Sequence, residues 1–266
     1  MPEGDTIHRI AARLRATLGS GPLSSLEVVP QVRGPRPAGG ESIDAIEARG
    51  KHLLISFGGG ATLHTHLGMD GTWRVTTPAA GPRVRPHGRP GAGPIVRVQT
   101  PRAAAVCSDT TSVELLDATG LRRQPILAAL GPDLCDPEVD LDEAVRRIDA
   151  LVQPDTSIAD ALLDQRVAAG IGNVYRSEVL WACGIDPFVP VAKVSTVTRR
   201  SVLERASGLL RENVAREGPR RTVPEGLAVY ERGGRGCRRC GGTIASRRIG
   251  DRARTVWWCS ACQTSA

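Results

Sequence analysis

Three sets of residues in this chain have types and spacings that can do chemistry. The first is its start, Met1-Pro2-Glu3-Gly4. Removal of Met1 leaves Pro2 with a free secondary amine, whose lone pair can attack a sugar C1′ or an aldehyde and form an iminium. An α-amino group titrates near ~8, well below the ~10.4 of lysine, so part of it is unprotonated near neutrality. Glu3, one residue on, can move the proton such a reaction needs. The plainer use of these residues is structural, since proline suits the first turn of a helix, where its missing N–H would have no partner anyway. With Met1 retained, Pro2 would be an amide with no lone pair to use. Only two of the 35 Lys and Arg residues are lysines, so amine chemistry is confined to Lys51, Lys193 and the N-terminus.

The second set is Cys237-x-x-Cys240 and Cys259-x-x-Cys262, with 18 residues between the pairs. Two such knuckles close a tetrahedral four-thiolate site on a β-hairpin around one structural zinc ion. Seven cysteines, four of them in these pairs, favour a reducing compartment and metal ligation over disulfides. Cys107, Cys135 and Cys183 lie in apolar contexts and read as small core residues. Eight arginines and one acid, Asp251, lie between Arg232 and Arg254. They make the hairpin either a phosphate clamp or a solvated charged loop.

The third set is Gly170-Ile171-Gly172-Asn173, between two helical stretches. Its glycines let backbone approach a phosphate, and Asn173 can cap the next helix or touch the phosphate itself. Smaller signals stand alone. Lys51 follows Arg49-Gly50 at the opening of a strand, and by type it suits a solvated surface equally well. His64 and His66 share a strand face and can bind metal, although no third ligand is evident. Met69 at a turn tip is either minor packing or an apolar wedge.

The elements that must position these residues can be read from periodicity. Ile7, Ile10, Ala11 and Leu14 follow helical spacing, with Gly19 and Gly21 to end the helix. Short apolar or alternating runs follow at Leu26–Val29, Leu53–Phe57, Leu63–Leu67, Trp73–Val75, Ile95–Val98 and Val113–Leu116. Gly and Pro punctuate them, as expected of an antiparallel sandwich or barrel, and Pro78–Pro94 reads as a loop. After Leu121 the period turns helical. Helices are expected from Leu141 to Val152, over Ile158–Ala168, from Val174 to Cys183 and from Ser195 to Val214. The domain boundary falls near residue 120.

The chain has 266 residues, a net charge of +7 and a pI near 9.4. That suits a polyanion partner or simply a soluble surface. No run of ~18 apolar residues exists, so no membrane span is expected. The first residues lack a signal-peptide core, so a cytoplasmic protein is expected.

Taken together these pieces resemble the formamidopyrimidine-DNA glycosylase/endonuclease VIII family. The resemblance spans the chain. It rests on Met-Pro-Glu-Gly at the start, Arg-Gly-Lys at 49–51 and His-Leu-Gly-Met-Asp-Gly at 66–71. It continues through Gly-Ile-Gly-Asn-x-Tyr-Arg-x-Glu at 170–178 to the four-cysteine finger. It implies an α+β fold: an N-terminal helix with an antiparallel β-sandwich (1–120), a helix–two-turn–helix domain (121–225) and a zinc-finger hairpin (226–266). It implies a bifunctional DNA glycosylase and abasic-site lyase of base excision repair. Damaged DNA is then the partner, no membrane is involved, and the protein is a monomer of the cytoplasm, associated with the nucleoid. By this resemblance Pro2 is the nucleophile at C1′ and Glu3 the proton donor that opens the deoxyribose ring. Lys51 contacts the neighbouring phosphate and assists β-elimination, and Arg254 assists δ-elimination. Asn173 contacts phosphate, and Met69 fills the void left by the flipped base.

The chain departs from the family pattern in four places. Asp5-Thr6 replaces a usual Pro-Glu, so a second N-terminal glutamate is absent and Asp5 becomes a candidate for proton relay. The spacing between the cysteine pairs is longer than usual, which makes Arg252 a competitor for the role of Arg254. No Arg-Arg-Phe-Gly wedge appears between Cys107 and Leu116. Gly68 and Ala129 stand where some relatives carry polar DNA contacts. The start and the missing wedge favour the endonuclease VIII side, hence oxidised pyrimidines. An oxidised-purine glycosylase and a catalytically silent damage-binding protein are the other readings, and intact Pro2, Glu3 and Lys51 argue against silence.

Overall fold

Helix α1 (Gly4–Leu18) forms where Ile7, Ala11, Leu14 and Leu18 recur on one face, and all four are buried. It stops at Gly19, whose φ of 64° favours glycine. The computed structural model describes residues 2–19, 21–84, 93–110, 112–216, 226–249 and 254–264. Met1, Asp251, Arg252 and residues 85–92 of the expected Pro78–Pro94 loop lie outside them.

Eight strands follow: β1 (Ser25–Val28), β2 (Ile43–Arg49), β3 (His52–Phe57), β4 (Thr62–His66), β5 (Thr72–Thr76), β6 (Pro94–Gln99), β7 (Ala104–Ser108) and β8 (Ser112–Leu116). They make two antiparallel sheets, in the orders β1-β6-β7-β5 and β2-β3-β4-β8. One apolar core joins the two sheets to α1, through Ile7, Leu14, Leu53, Ile55, Leu63, Val96, Val98 and Cys107 among others. This is the expected sandwich. Two strands escape the sequence pattern. In β2 a register shift between Ile43 and Ala45 breaks the two-residue alternation. Strand β7 opens on two alanines, which have weak strand preference, and it is ordered by its neighbours β5 and β6. Two short helices, α2 (Ala118–Arg123) and α3 (Pro125–Ala129), follow β8.

The chain divides into two compact units, Met1–Ala128 and Ala129–Ala266. The second is built on α4 (Leu141–Leu151), α5 (Ile158–Ala161), α6 (Asn173–Cys183) and α7 (Thr196–Ala215). The side chains of Asp140 and Ser195 cap α4 and α7, accepting from the backbone N–H groups of Glu143 and Thr198. The helix expected over Ile158–Ala168 is a correction: it ends at Ala161. Residues beyond it make other bonds. The Gln165 carbonyl accepts from Gly131, and Ala169 donates to Pro132. The Gln165 side chain donates to Ile171 O at 2.9 Å and accepts from Gly170 N at 3.1 Å, stapling the turns that lead into α6. Strands β9 (Ile244–Ile249) and β10 (Arg254–Cys259) form the final antiparallel hairpin. No helix among the described residues is long and apolar enough to cross a membrane.

Candidate functional site

Pro2 is half-buried, and Glu3 and Asp5 are fully buried at the start of α1. The Glu3 backbone carbonyl, not its side chain, begins the helix by accepting from Thr6 and Ile7 at 3.0 and 3.2 Å. The Glu3 carboxyl therefore has no capping duty. Asp5 accepts a hydrogen bond from its neighbour Thr6 Oγ1 at 3.3 Å.

Arg49-Gly50-Lys51 does not simply open a strand. Arg49 and His52 pair across β2 and β3, so Gly50-Lys51 is a two-residue hairpin turn. Gly50 has φ 55°, and glycine first with a positive φ is what a tight primed turn requires. The half-buried Lys51 thus sits at a rigid tip, and α1 packs on the two strands that carry it.

Behind that tip lies a cluster of imidazoles. His52 stands opposite His66 across β3 and β4, and His64 stands opposite Glu114 across β4 and β8. His52 Nδ1 and His64 Nε2 are 2.9 Å apart, and His64 Nδ1 lies 2.9 Å from Glu114 Oε2. Both nitrogens of His64 are therefore occupied within the protein, which weighs with the missing third ligand against a metal shared by His64 and His66. Burial first, then His66, His64 and Lys51, hold His52 down at about 3. Burial and the charge of Lys51 lower His66 as well.

Strand β4 leads into the turn that carries Met69. Leu67 is buried, Gly68 has φ 64°, and Gly71 N bonds Leu67 O at 3.0 Å. A Cβ on Gly71 would lie 2.3 Å from that carbonyl oxygen, so only glycine closes this turn. Met69 is left at its tip, 63% exposed.

In the second unit α6 is the scaffold. Gly172, not Asn173, is its N-cap. Asn173 Nδ2 instead donates to Thr255 O at 2.9 Å, beside Arg254 at the start of β10. Arg176 is fully buried and donates to the same carbonyl and to Asn173 Oδ1. Glu178 accepts from three successive backbone N–H groups, Ala228, Val229 and Tyr230, at 2.8 to 2.9 Å. Trp181 donates to Cys237 Sγ at 3.4 Å. Asn173 and Arg254 are thus brought to adjacent positions.

The four cysteine sulfurs lie within 4.8 Å of one another, with Cys240–Cys259 at 3.5 Å and Cys237–Cys262 at 3.9 Å. Four thiolates ~2.3 Å from one tetrahedral ion stand about 3.8 Å apart, so the cluster has the size of a metal site. Burial would raise the Cys237 thiol, but the N–H groups of Trp181, Arg239 and Cys240 bring it down to about 6. The hydrogen bond with Cys240 and then burial push Cys262 up to about 12. Four sulfurs this close cannot all ionise cheaply alone, and a bound cation lets them do so.

The finger arginines divide in use. Arg232 donates to Ala228 O and Gly236 O, Arg239 lies 4.4 Å over Trp181, and Arg247 lies 3.9 Å over Phe188. These three brace the hairpin. Sequence reasoning gave no role to His52, Glu114, Arg176, Glu178 or Trp181. The usable signal was charge at helix-interior positions of α6, since a charged side chain is buried only when paired.

Residues 1–112 match the formamidopyrimidine-DNA glycosylase N-terminal domain, and residues 130–223 match the formamidopyrimidine-DNA glycosylase H2TH domain. The DNA-(apurinic or apyrimidinic site) lyase Nei2 of Mycolicibacterium smegmatis is 37% identical over 276 aligned positions, covering all of both chains. Endonuclease 8 2 of Mycobacterium tuberculosis is 39% identical over 273, covering 99% of this chain and all of its own. The fold matches that of wild-type Lactococcus lactis Fpg bound to DNA containing an oxidised pyrimidine. The TM-score is 0.83 at 22% identity, over 99% of this chain and all of the other. Lactococcus lactis Fpg bound to abasic-site DNA gives 0.81 at 21%, with the same coverage. Two matched domains that together span most of the sequence, and relatives alike from end to end, establish that the chain belongs to the formamidopyrimidine-DNA glycosylase/endonuclease VIII family.

Proposed function

We propose that this protein is a bifunctional DNA glycosylase and abasic-site lyase of base excision repair, acting on oxidised pyrimidines. After removal of Met1, the Pro2 amine attacks C1′ of the damaged nucleotide and the base leaves with the electrons of the N-glycosidic bond. Glu3 gives a proton to the ring oxygen as the deoxyribose opens to an iminium. Loss of a C2′ proton then expels the 3′ phosphate, with Lys51 on the neighbouring phosphate. A second elimination, assisted by Arg254, expels the 5′ phosphate. Asp5 is the candidate to exchange protons with this site in place of a second glutamate.

The observation that carries this reading is the pairing of Pro2 with a fully buried carboxyl that the helix does not use as a cap. Asn173 would contact the DNA phosphate and Met69 would fill the place of the flipped base. Cys237, Cys240, Cys259 and Cys262 would hold one structural zinc ion, which pins the hairpin that carries Arg254. As working parts we take 1–120, 121–225 and 226–266, in a monomer of the cytoplasm and nucleoid.

Borohydride reduction with abasic DNA should trap the protein covalently, and peptide mass spectrometry should place the adduct on Pro2. An adduct on Lys51 or Lys193 would sink the proline mechanism, and no adduct at all would favour a silent binder. A panel of lesion duplexes separates oxidised pyrimidines from oxidised purines.

A further inference from the structure

The C-terminal end of α6 is a seat for both cysteine knuckles. At the first, Trp181 Nε1 donates to Cys237 Sγ at 3.4 Å. Arg239 lies across that indole, 4.4 Å from its centroid, and donates to Ala182 O at 3.3 Å. At the second, the buried Gln263 accepts from Cys259 N at 2.8 Å and donates to Ile185 O at 2.9 Å. The helix stops at Gly184, with φ 72°, and a Cβ there would lie 3.4 Å from Cys262 O.

This placement sets like charges against each other. Four thiolates around one divalent cation leave a net negative charge, and the last carbonyls of a helix are the negative end of its dipole. Trp181 and Arg239 offset the repulsion. The indole N–H points at a sulfur, and the guanidinium takes a terminal carbonyl beside the same knuckle. A hydrogen bond to an ionised acceptor is roughly twice as strong as one between neutral groups.

The other end of the same helix face carries the group read as a DNA contact. Asn173 and Trp181 lie a little over two turns apart on α6, ~12 Å along its axis, so they share a face. Asn173 Nδ2 gives one hydrogen to Thr255 O at 2.9 Å, and its second hydrogen is the one a phosphate would take. The finger is therefore pinned to this face at Thr255, beside Arg254, and again at Cys237. Loosening the second pin lets the hairpin shift about the first, and the directions of Arg254 and of the Asn173 amide shift with it.

We propose that Trp181 is a positioning residue for the phosphate grip: its indole N–H, with Arg239 across the ring, seats the metal–thiolate cluster on the end of α6 and so holds Asn173 and Arg254 in place. This rests on the readings of the four cysteines as a zinc site and of Asn173 and Arg254 as phosphate contacts.

The test uses the full zinc-loaded chain. Trp181→Phe keeps a ring beneath Arg239 and removes the N–H. Its zinc should pass to a competing chelator about tenfold more readily, since outer partners of metal ligands are worth about 10–100-fold in affinity. Affinity for a duplex holding a tetrahydrofuran abasic analogue is measured with zinc in excess, so that the site stays loaded. It should fall about fivefold, within the range for groups coupled through contact. That loss should vanish, to within about twofold, when Asn173→Ala is already present, because the contact being positioned is then gone. A merely structural role would weaken binding equally in both backgrounds. Arg239 is exposed, so Arg239→Met leaves no core cavity. Its zinc retention carries the test if Trp181→Phe fails to fold, with a loss of the same sign expected.

Zinc held as tightly as in wild type by Trp181→Phe, or by Arg239→Met in its place, would overturn the proposal. So would losses that simply add when Trp181→Phe and Asn173→Ala are combined. The underlying readings fail differently. Wild-type protein that binds no zinc defeats the metal site, and Asn173→Ala binding DNA like wild type defeats the phosphate contact; the proposal falls with either. A zinc-loaded wild type and an impaired Asn173→Ala, beside an indifferent Trp181→Phe, defeat only the positioning.

Discussion

The two units bury polar side chains to different ends. In the second unit they bind backbone. Glu178 takes three N–H groups, Asn173 and Arg176 share the Thr255 carbonyl, and Gln263 donates to Ile185 O. In the first unit Arg97 likewise binds backbone, at Pro78 O and Ala80 O, but other buried polar groups lie where the chain turns: Glu3 and Asp5 at a helix start, His52 and His64 behind a hairpin tip. The contrast follows from core size. Among the described residues the finger has a small core of Val229, Cys237, Ile244 and Cys259, flanked by Trp181, Trp257 and Cys262. A core that small does not hold a hairpin by apolar burial, so polar ties and the proposed zinc must do it. The sandwich has a large core of its own, which leaves its buried carboxyls and imidazoles free to be placed for reaction. Changes in the finger should therefore fail in folding and affinity, and changes at the sandwich site should fail in rate.

The sharpest break of that contrast is Cys237→Ser. Structural zinc contributes an apparent ~10–16 kcal/mol in small fingers, so the variant should lose metal and DNA affinity while the sandwich stays folded. Elemental analysis and circular dichroism check it, and wild-type protein without zinc would refute the site. Acid should act in the same direction, because protons compete with the metal for the thiolates and binding weakens as pH falls.

On the other side, Glu3→Gln should cut excision of an oxidised pyrimidine by ~10²–10⁴-fold, the usual worth of general acid–base catalysis. Cleavage of a preformed abasic site should survive in part, because its aldehyde is already open to Pro2. If Glu3 were merely a favourable charge at a helix start, worth ~0.3–1 kcal/mol, melting would shift slightly and lesion excision would match wild type.

Glu178→Ala asks whether the finger depends on its polar tie. Three backbone N–H groups would lose their acceptor, and an unsatisfied buried group costs about 1–3 kcal/mol, so a loss of about 3 kcal/mol or more is expected in urea unfolding. Trapping at saturating abasic DNA should be retained. Unchanged stability would mean that the metal alone suffices.

The smallest effect concerns Arg254. Log affinity should fall with log salt at a slope of about −0.9 per phosphate neutralised, and Arg254→Ala should reduce that slope by about one contact. An unchanged slope would remove Arg254 from the phosphate side and turn attention to Arg252.

Much of this protein was determined by local sequence. Helix α1, six of the eight sandwich strands, α4, α6 and α7 follow from apolar period and from end signals such as Gly19 and Ser195, which act within a few residues. The cysteine spacing set the finger for the same reason, since each knuckle is a local turn. The exceptions were a bulge in β2, a strand β7 that its neighbours order, and turns stapled by Gln165 where a longer α5 was expected. Only the tertiary structure decided which charged and titratable groups meet. His64 finds Glu114 50 residues away, and Arg176 finds Thr255 79 residues away, through strand register and helix docking that no short pattern encodes. Lys51 became a hairpin tip rather than a strand residue because Arg49 pairs with His52. Local propensity chooses elements over a few residues, whereas the environment of a buried charge is the sum of everything packed around it, and that sum exists only in the folded chain.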